Sequence, residues 1–243
     1  MLPGRDDEVT MYFQHSDAIW RDFPELAPGL IFAPGISTDV SVDDRLARFG
    51  EIAAKRLAIA SEGELPEIQA WRRAFSKMGL KPTRYRCASE SLLRRFRKEG
   101  SLPRLHPVID LCNAVSIAYA IPVAVFDASR ISEYVEVRHA AGDETYLTFS
   151  GETEHPPAGE VIFADALGNA HARRWTNRQS GYSAIRDTTT DVLIVAEALH
   201  DTARQDIESL TATLSDELST LWPVTPKSAI LAPSAPRFEF AGT

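Results

Sequence analysis

The chain has 243 residues, 44 % apolar and 25 % charged, with a net charge of −8 at pH 7 and two cysteines. This composition can bury a full core, so wholesale disorder, a low-complexity or collagen-like chain and a disulfide scaffold are excluded. Cys87 and Cys112 form no CxxC pair and suit a reducing cytoplasm, and the negative charge argues against uniform, non-specific binding to DNA or any other nucleic acid. Residues 1–28 read as polar and irregular, with turns at Pro24 and Pro28, and the acidic MLPGRDDEVT start lacks the apolar core of a leader. A first strand is expected at 29–37. A helix follows at 42–60, with Ser41 as N-cap and Leu46, Phe49, Ala53, Leu57 and Ala60 on one face. A second helix, 66–79, carries Pro66 at its start and Gly79 at its end. A third, 89–100, is capped by Ser89 and closed by Gly100, with Leu92, Leu93 and Phe96 inward and Arg94, Arg95, Arg97 and Lys98 toward water.

The fourth helix, 106–121, is the most apolar. It continues into a strand, and Asp110, Asn113 and Pro122 argue against a membrane span. Six short β-rich runs follow at 122–127, 133–139, 144–150, 160–165, 169–176 and 191–199. An amphipathic helix at 202–222 carries Ile207, Leu210, Leu214, Leu218 and Leu221. Residues 223–243 hold four prolines without periodicity and read as a tail. The expectation is one α+β domain over 1–222, with a helical N-terminal half packed on a sandwich-like or mixed sheet.

Charge is distributed unevenly. Residues 71–105 hold eleven basic side chains and two acids, Glu90 and Glu99, so the rest of the chain is strongly acidic. A one-sided cluster of this size is the footprint of a polyanion site, with a solvated helix face as the plain alternative. Arg173, Arg174 and Arg178 flank Trp175, an arrangement that grips phosphate or stacks a base, or forms an ordinary surface pair. The sequence has no GxGxxG, GxxxxGK[ST], HExxH or GxSxG pattern. No two of the six histidines lie three or four apart, so neither a metal site nor a cofactor is expected. Nothing in the spacing favours Ser–His–Asp catalysis, whose members assemble in space.

The segment RLHPVIDLCNAVSIAYAIPVAVFD (104–127) resembles the tRNA-binding and editing (B3/B4) domain of the phenylalanyl-tRNA synthetase β subunit, whose pattern reads roughly RPxNNVVDxTNYVxxExGQPxHAFD. YLTFSGE (146–152), EVIFADALG (160–168) and TTTDVLIVAEAL (188–199) resemble that domain's LTLDGxE, LVIADxxG and TTxxVLLEAA segments in the same order. The DLCNAVSIAYAIPVAVFD and RRWTNRQSGYSAI stretches are similar to blocks of its freestanding relatives. The resemblance covers about residues 66–210, without the synthetase catalytic core.

The resemblance implies the fold of that domain and a cytoplasmic protein that hydrolyses the ester of a mischarged tRNA in trans. The alternatives are a non-catalytic tRNA-, RNA- or amino-acid-binding module of the same fold, or a partner of a synthetase. The family's Thr-Asn pair falls on Cys112 and Asn113, its proline on Pro122, and its editing histidine on Ala124. Its hairpin leucine falls on Phe149, and its strand glutamate on Val195, with Glu197 two residues on and on the same strand face. The implied catalytic residues are Asn113, His106 and Glu197. Cys112, Pro122, Ala124, Phe149, Arg174, Trp175 and Arg178 are the implied pocket residues. Arg84, Arg86, Arg94, Arg95, Arg97 and Lys98 are expected to hold RNA phosphates. His106 has helix capping as its plain role, Cys112 burial, and Trp175 a place in the core.

Overall fold

The computed structural model describes residues 10–241. In chain order the elements are β1 (Thr10–His15), α1 (Asp17–Asp22), β2 (Ala27–Ala33), α2 (Asp43–Ile59), α3 (Pro66–Lys77), α4 (Ala88–Glu99) and α5 (Pro107–Tyr119). Then come β3 (Val123–Asp127), β4 (Tyr134–His139), β5 (Tyr146–Leu147), β6 (Thr153–Glu154), β7 (Val161–Ala164), β8 (Ala170–Arg173), β9 (Arg178–Gln179) and β10 (Val192–Ala198). The last are α6 (Ala203–Leu221), β11 (Lys227–Ile230) and β12 (Arg237–Ala241).

The strands form a six-stranded sheet in the order β12-β1-β4-β7-β8-β9, a four-stranded sheet in the order β11-β2-β10-β3, and a β5-β6 ribbon. Only the β1–β4 pairing among the named strands is parallel. The α+β class read from the sequence is therefore the class of the fold.

Strand alternation sets the layers. In the four-stranded sheet Leu30, Phe32, Phe126, Leu193 and Val195 join Phe13, Val135, Val137 and Phe163 of the larger sheet in one core between the two sheets. The intervening residues Ile31, Val125, Ile194 and Ala196 face a second core with α2, α5 and α6. The order is thus sheet, sheet, helices. The helical layer approaches closely at Gly29 of β2, where a Cβ would lie 2.4 Å from Thr211 Oγ1 and 2.8 Å from Ile207 Cγ2. That position requires glycine.

Several expectations need correction. Residues 1–28 are not uniformly irregular, since β1, α1 and the start of β2 lie within them; residues 1–9 lie outside those described. TMYFQH alternates, burying Met11, Phe13 and His15. Residues 223–241 are not a tail. β11 pairs with β2, and β12 pairs with β1 and buries Phe238 and Phe240. Pro233 and Pro236 sit outside the strands, where no ladder donor is needed. The N-caps shift by one or two residues. Val42 precedes α2 in place of Ser41, and Cys87 precedes α4 while Ser89 is fully buried inside it. The 144–150 run forms a strand only at Tyr146–Leu147, with a single bridge from Thr145 to Asn169 beside it. The 169–176 run ends as a strand at Arg173, because Arg174 and Trp175 turn left-handed at φ +48° and +58°. No helix among the described residues is long and apolar enough to cross a membrane.

Candidate functional site: a carboxylate pocket between the sheets

Glu197 is the next-to-last residue of β10, the strand held between β2 and β3. Alternation places it on the same face as Leu193 and Val195, toward the space between the sheets. It is 2 % exposed, and a buried carboxylate requires partners. Trp175 Nε1 donates to Glu197 Oε1 at 2.9 Å, and His15 Nε2 lies 2.6 Å from the same oxygen. Trp71 Nε1 donates to the Glu197 carbonyl at 3.3 Å. The Trp175 and His15 contacts both use Oε1 and leave Glu197 Oε2 without a hydrogen-bond partner among the described residues.

Glu197 lines a cavity of about 60 Å³. Pro122, Val123, Ala124, Phe163, Ala172 and Val195 give it an apolar wall drawn from both sheets. Trp175, Thr176, Asn177, Arg178 and Gln179 form the β8–β9 side. Gln179 Nε2 donates to the Val125 carbonyl at 2.6 Å, tying β9 to the edge strand β3 beside the cavity.

The loop that delivers Trp175 is strained. Two consecutive non-glycine residues, Arg174 and Trp175, hold positive φ, a conformation that costs an L-residue about 1–2 kcal/mol. The surroundings hold it in place. Trp175 N donates to Val161 O at 2.8 Å, and its ring packs edge-on against Trp71 at 5.0 Å and Phe23 at 4.8 Å. The strain is over-determined by these contacts and aims the Trp175 donor at the buried Glu197 carboxylate.

The rim is basic and joins the 71–105 segment. Ala88 N donates to Thr176 O at 2.8 Å, Asn177 Nδ2 donates to Arg86 O at 2.7 Å, and the Arg174 guanidinium lies over the Tyr85 ring at 4.8 Å. Arg178 lies 3.1 Å from Glu154 and over the Tyr146 ring.

Of the expected site residues, Glu197, Pro122, Ala124, Trp175 and Arg178 meet at this cavity, and Arg174 stands beside it. The others lie elsewhere. Asn113 is half-buried on α5, does not line the cavity, and makes no side-chain hydrogen bond with another described residue. His106 is the N-cap of α5, its Nδ1 accepting from Val108 N at 3.3 Å, and burial lowers its pKa. Its plain capping role accounts for that contact. Cys112 is buried in the helix-side core, and burial pushes its thiol up to about 12, which removes the thiolate a nucleophile needs. Phe149 is 70 % exposed in the turn after β5 and lines no wall of the cavity. Two site residues lie beyond the sequence reading, His15 and Trp71. The alternating MYFQH run was the available signal for His15.

The basic candidates are less free than expected. Arg94 and Arg97 both pair with Glu62, at 3.1 and 2.8 Å, and Glu62 is buried. Arg86 and Arg72 share Glu90, and Arg95 pairs with Glu99. Arg84 and Lys98 are exposed and form no ion pair among the described residues. Two guanidinium groups on each of Glu62 and Glu90 leave the face positive. Ser183, His171 and Asp165 do line up in space, with Ser183 Oγ 2.8 Å from His171 Nδ1 and Asp165 Oδ2 3.3 Å from Nε2. All three are buried at 2 % exposure or less, so a substrate has no approach to the serine and the array acts as a core tie.

These features define an α+β domain with a small buried-carboxylate pocket opening beside a basic face. A model of the B3/4 domain matches residues 70–218, and the chain belongs to that family. Curated relatives are phenylalanine–tRNA ligase β subunits. That of Coxiella burnetii is 43 % identical over 60 residues, covering 25 % of this chain and 7 % of its own length. That of Shewanella oneidensis is 26 % identical over 101 residues, 41 % and 12 % of the two chains. That of Mannheimia succiniciproducens is 30 % identical over 93 residues, 38 % and 11 %. The chain therefore spans only a small part of these relatives. Among solved structures, an N-terminal fragment of the phenylalanyl-tRNA synthetase β subunit from Pyrococcus horikoshii matches with a TM-score of 0.46 and 8 % identity, over 90 % of this chain and 54 % of that one.

Proposed function

We propose that this domain hydrolyses the ester of an aminoacyl-tRNA that carries the wrong, small amino acid. The observation behind this reading is the Glu197 carboxylate, pinned through one oxygen by Trp175 and His15 and open at the other beside an apolar cavity. A buried, oriented carboxylate oxygen is a receptor for the α-ammonium group of an aminoacyl ester. The apolar wall then receives the side chain. A buried apolar cavity of about 150 Å³ takes a benzene ring, and the space of about 60 Å³ beside Glu197 is the basis for assigning a small amino acid in this reading. Ala124 occupies the position of the family's editing histidine, so imidazole chemistry is not supplied from there. Hydrolysis adds a water oxygen to the ester carbonyl carbon and releases the ribose hydroxyl, which takes the proton. The domain's part is to hold the ester and the water, with Thr176, Asn177 and Gln179 as the polar groups at hand. On this reading Arg84, Arg174, Arg178 and Lys98 are the cations assigned to the phosphates of the acceptor end.

The test is a deacylation assay on a panel of correctly and wrongly charged tRNAs. The wild type is expected to release one small mischarged amino acid, Glu197→Gln to lose at least tenfold in rate, and Asn113→Ala to be unchanged. Tight tRNA binding without hydrolysis of any ester would assign a binding module instead.

A further inference from the structure

A second group of donors gathers where the start of α3 meets the β10–α6 link. Glu67 of α3, His200 of the β10–α6 link and Asp206 in the first turn of α6 each bring one ligand atom within 4.8 Å of the other two. His200 Nε2 lies 2.7 Å from Asp206 Oδ2. Glu67 Oε1 accepts from Arg56 at 2.6 Å, while Glu67 Oε2 is buried with no partner among the described residues. His200 is 6 % exposed, and its Nδ1 is also buried and unpartnered. Buried polar atoms are nearly always paired, and two orphans in one cluster point to a missing ligand. The charge agrees: two carboxylates face one guanidinium, Arg56, across an imidazole.

We propose that Glu67, His200 and Asp206 bind a divalent transition-metal ion. One imidazole nitrogen with two carboxylate oxygens is a borderline donor set that suits Zn²⁺. Zinc donors stand about 3.3 Å apart around the ion, so Glu67 turns inward from Arg56 on binding. Glu67 and Asp206 line a cleft of about 510 Å³ that reaches solvent, which supplies the entry path and a fourth ligand position for water. Glu67 lies one helical turn before Trp71, and His200 lies three residues after Glu197. The ion would therefore clamp α3 to the β10–α6 link, the two elements that carry the back of the carboxylate pocket. Thr202 Oγ1 donates to Asp206 Oδ2 at 2.6 Å, so a plain hydroxyl–carboxylate tie at the start of α6 is the competing account of Asp206.

The experiment is a Zn²⁺ titration of the purified chain in competition with a chromophoric chelator at neutral pH, alongside thermal melts. The expected result is one ion per chain and a higher Tm with zinc. Binding should weaken at least tenfold in Glu67→Gln and vanish in His200→Gln. Thr202→Ala, which removes that hydroxyl but no ligand atom, should still bind one ion per chain. If His200→Gln fails to fold, Glu67→Gln decides, because its side chain borders an open cleft. Absence of a stoichiometric ion, or equal affinity in wild type and Glu67→Gln, overturns the proposal.

Discussion

At the scale of single residues, Trp175 couples the strained loop to the carboxylate. It fills core volume against Trp71 and Phe23, and it gives Glu197 one of its two side-chain hydrogen bonds. These roles separate in Trp175→Phe, which keeps most of the ring and removes the indole donor. Glu197 Oε1 then relies on His15 alone. Depriving a buried charged acceptor of a donor costs about 1–3 kcal/mol. The urea midpoint should fall accordingly with the m-value unchanged, and the same substitution should impair deacylation by letting Glu197 reorient. An unchanged midpoint would mean that the Trp175–Glu197 bond has no net weight in the fold. His15 explains why only part of this site was legible beforehand. Pro122, Ala124 and Glu197 fall within a stretch whose pattern resembles a known domain. His15 meets Glu197 across 182 positions of chain, from a six-residue strand whose alternation marks a buried face but not the partner that face meets.

At the scale of elements, α4 shows how a charge run is divided between structure and surface. Arg94 and Arg97 stand three apart on the helix and converge on the buried Glu62 of the 62–64 turn. Reversing both to Glu would set three carboxylates together, one of them buried, so the loss should be in stability as much as in RNA affinity. Arg84→Glu with Lys98→Glu tests recognition more cleanly, because neither parent residue has an ion-pair partner among the described residues. That double variant should bind tRNA more weakly and with a shallower salt dependence, while its Tm stays within a few degrees of wild type. Equal affinity at fixed salt would take this face out of the binding surface. The helices themselves were legible because Pro66, Gly79 and Gly100 punctuate clear 3.6-residue patterns, and Gly79 and Gly100 do take positive φ. The cap positions were not, because a serine one residue out of place looks the same in sequence. Ser41 precedes Val42, the observed cap of α2, and Ser89 lies inside α4.

At the scale of the whole molecule, the two sheets are completed by the last strands of the chain. β11 adds to the edge of the four-stranded sheet at β2, and β12 closes the edge of the larger sheet at β1. Sequence periodicity missed both, because prolines at 223, 226, 233 and 236 suggest a tail while the paired segments between them are short. The burial shows what these strands contribute. Leu231, Phe238 and Phe240 are each at most 3 % exposed, and Phe32 of β2 stacks on Phe240 at 5.2 Å, linking one sheet to the other. Burying each such side chain is worth about 1.5–3 kcal/mol, against a total domain stability of about 5–15 kcal/mol. A chain truncated after Trp222 therefore loses a large fraction of its stability and exposes two unpaired strand edges, which favours aggregation. The measurement is a urea melt of the truncated and full chains, with sedimentation to follow association. The truncated chain should unfold at much lower urea, or fail to yield a soluble monomer. A coincident midpoint would mean that the core between the sheets is complete without β11 and β12. Because β1 carries His15 and is clamped between β12 and β4, the same truncation should also free His15 from Glu197 and abolish deacylation even in any fraction that remains folded.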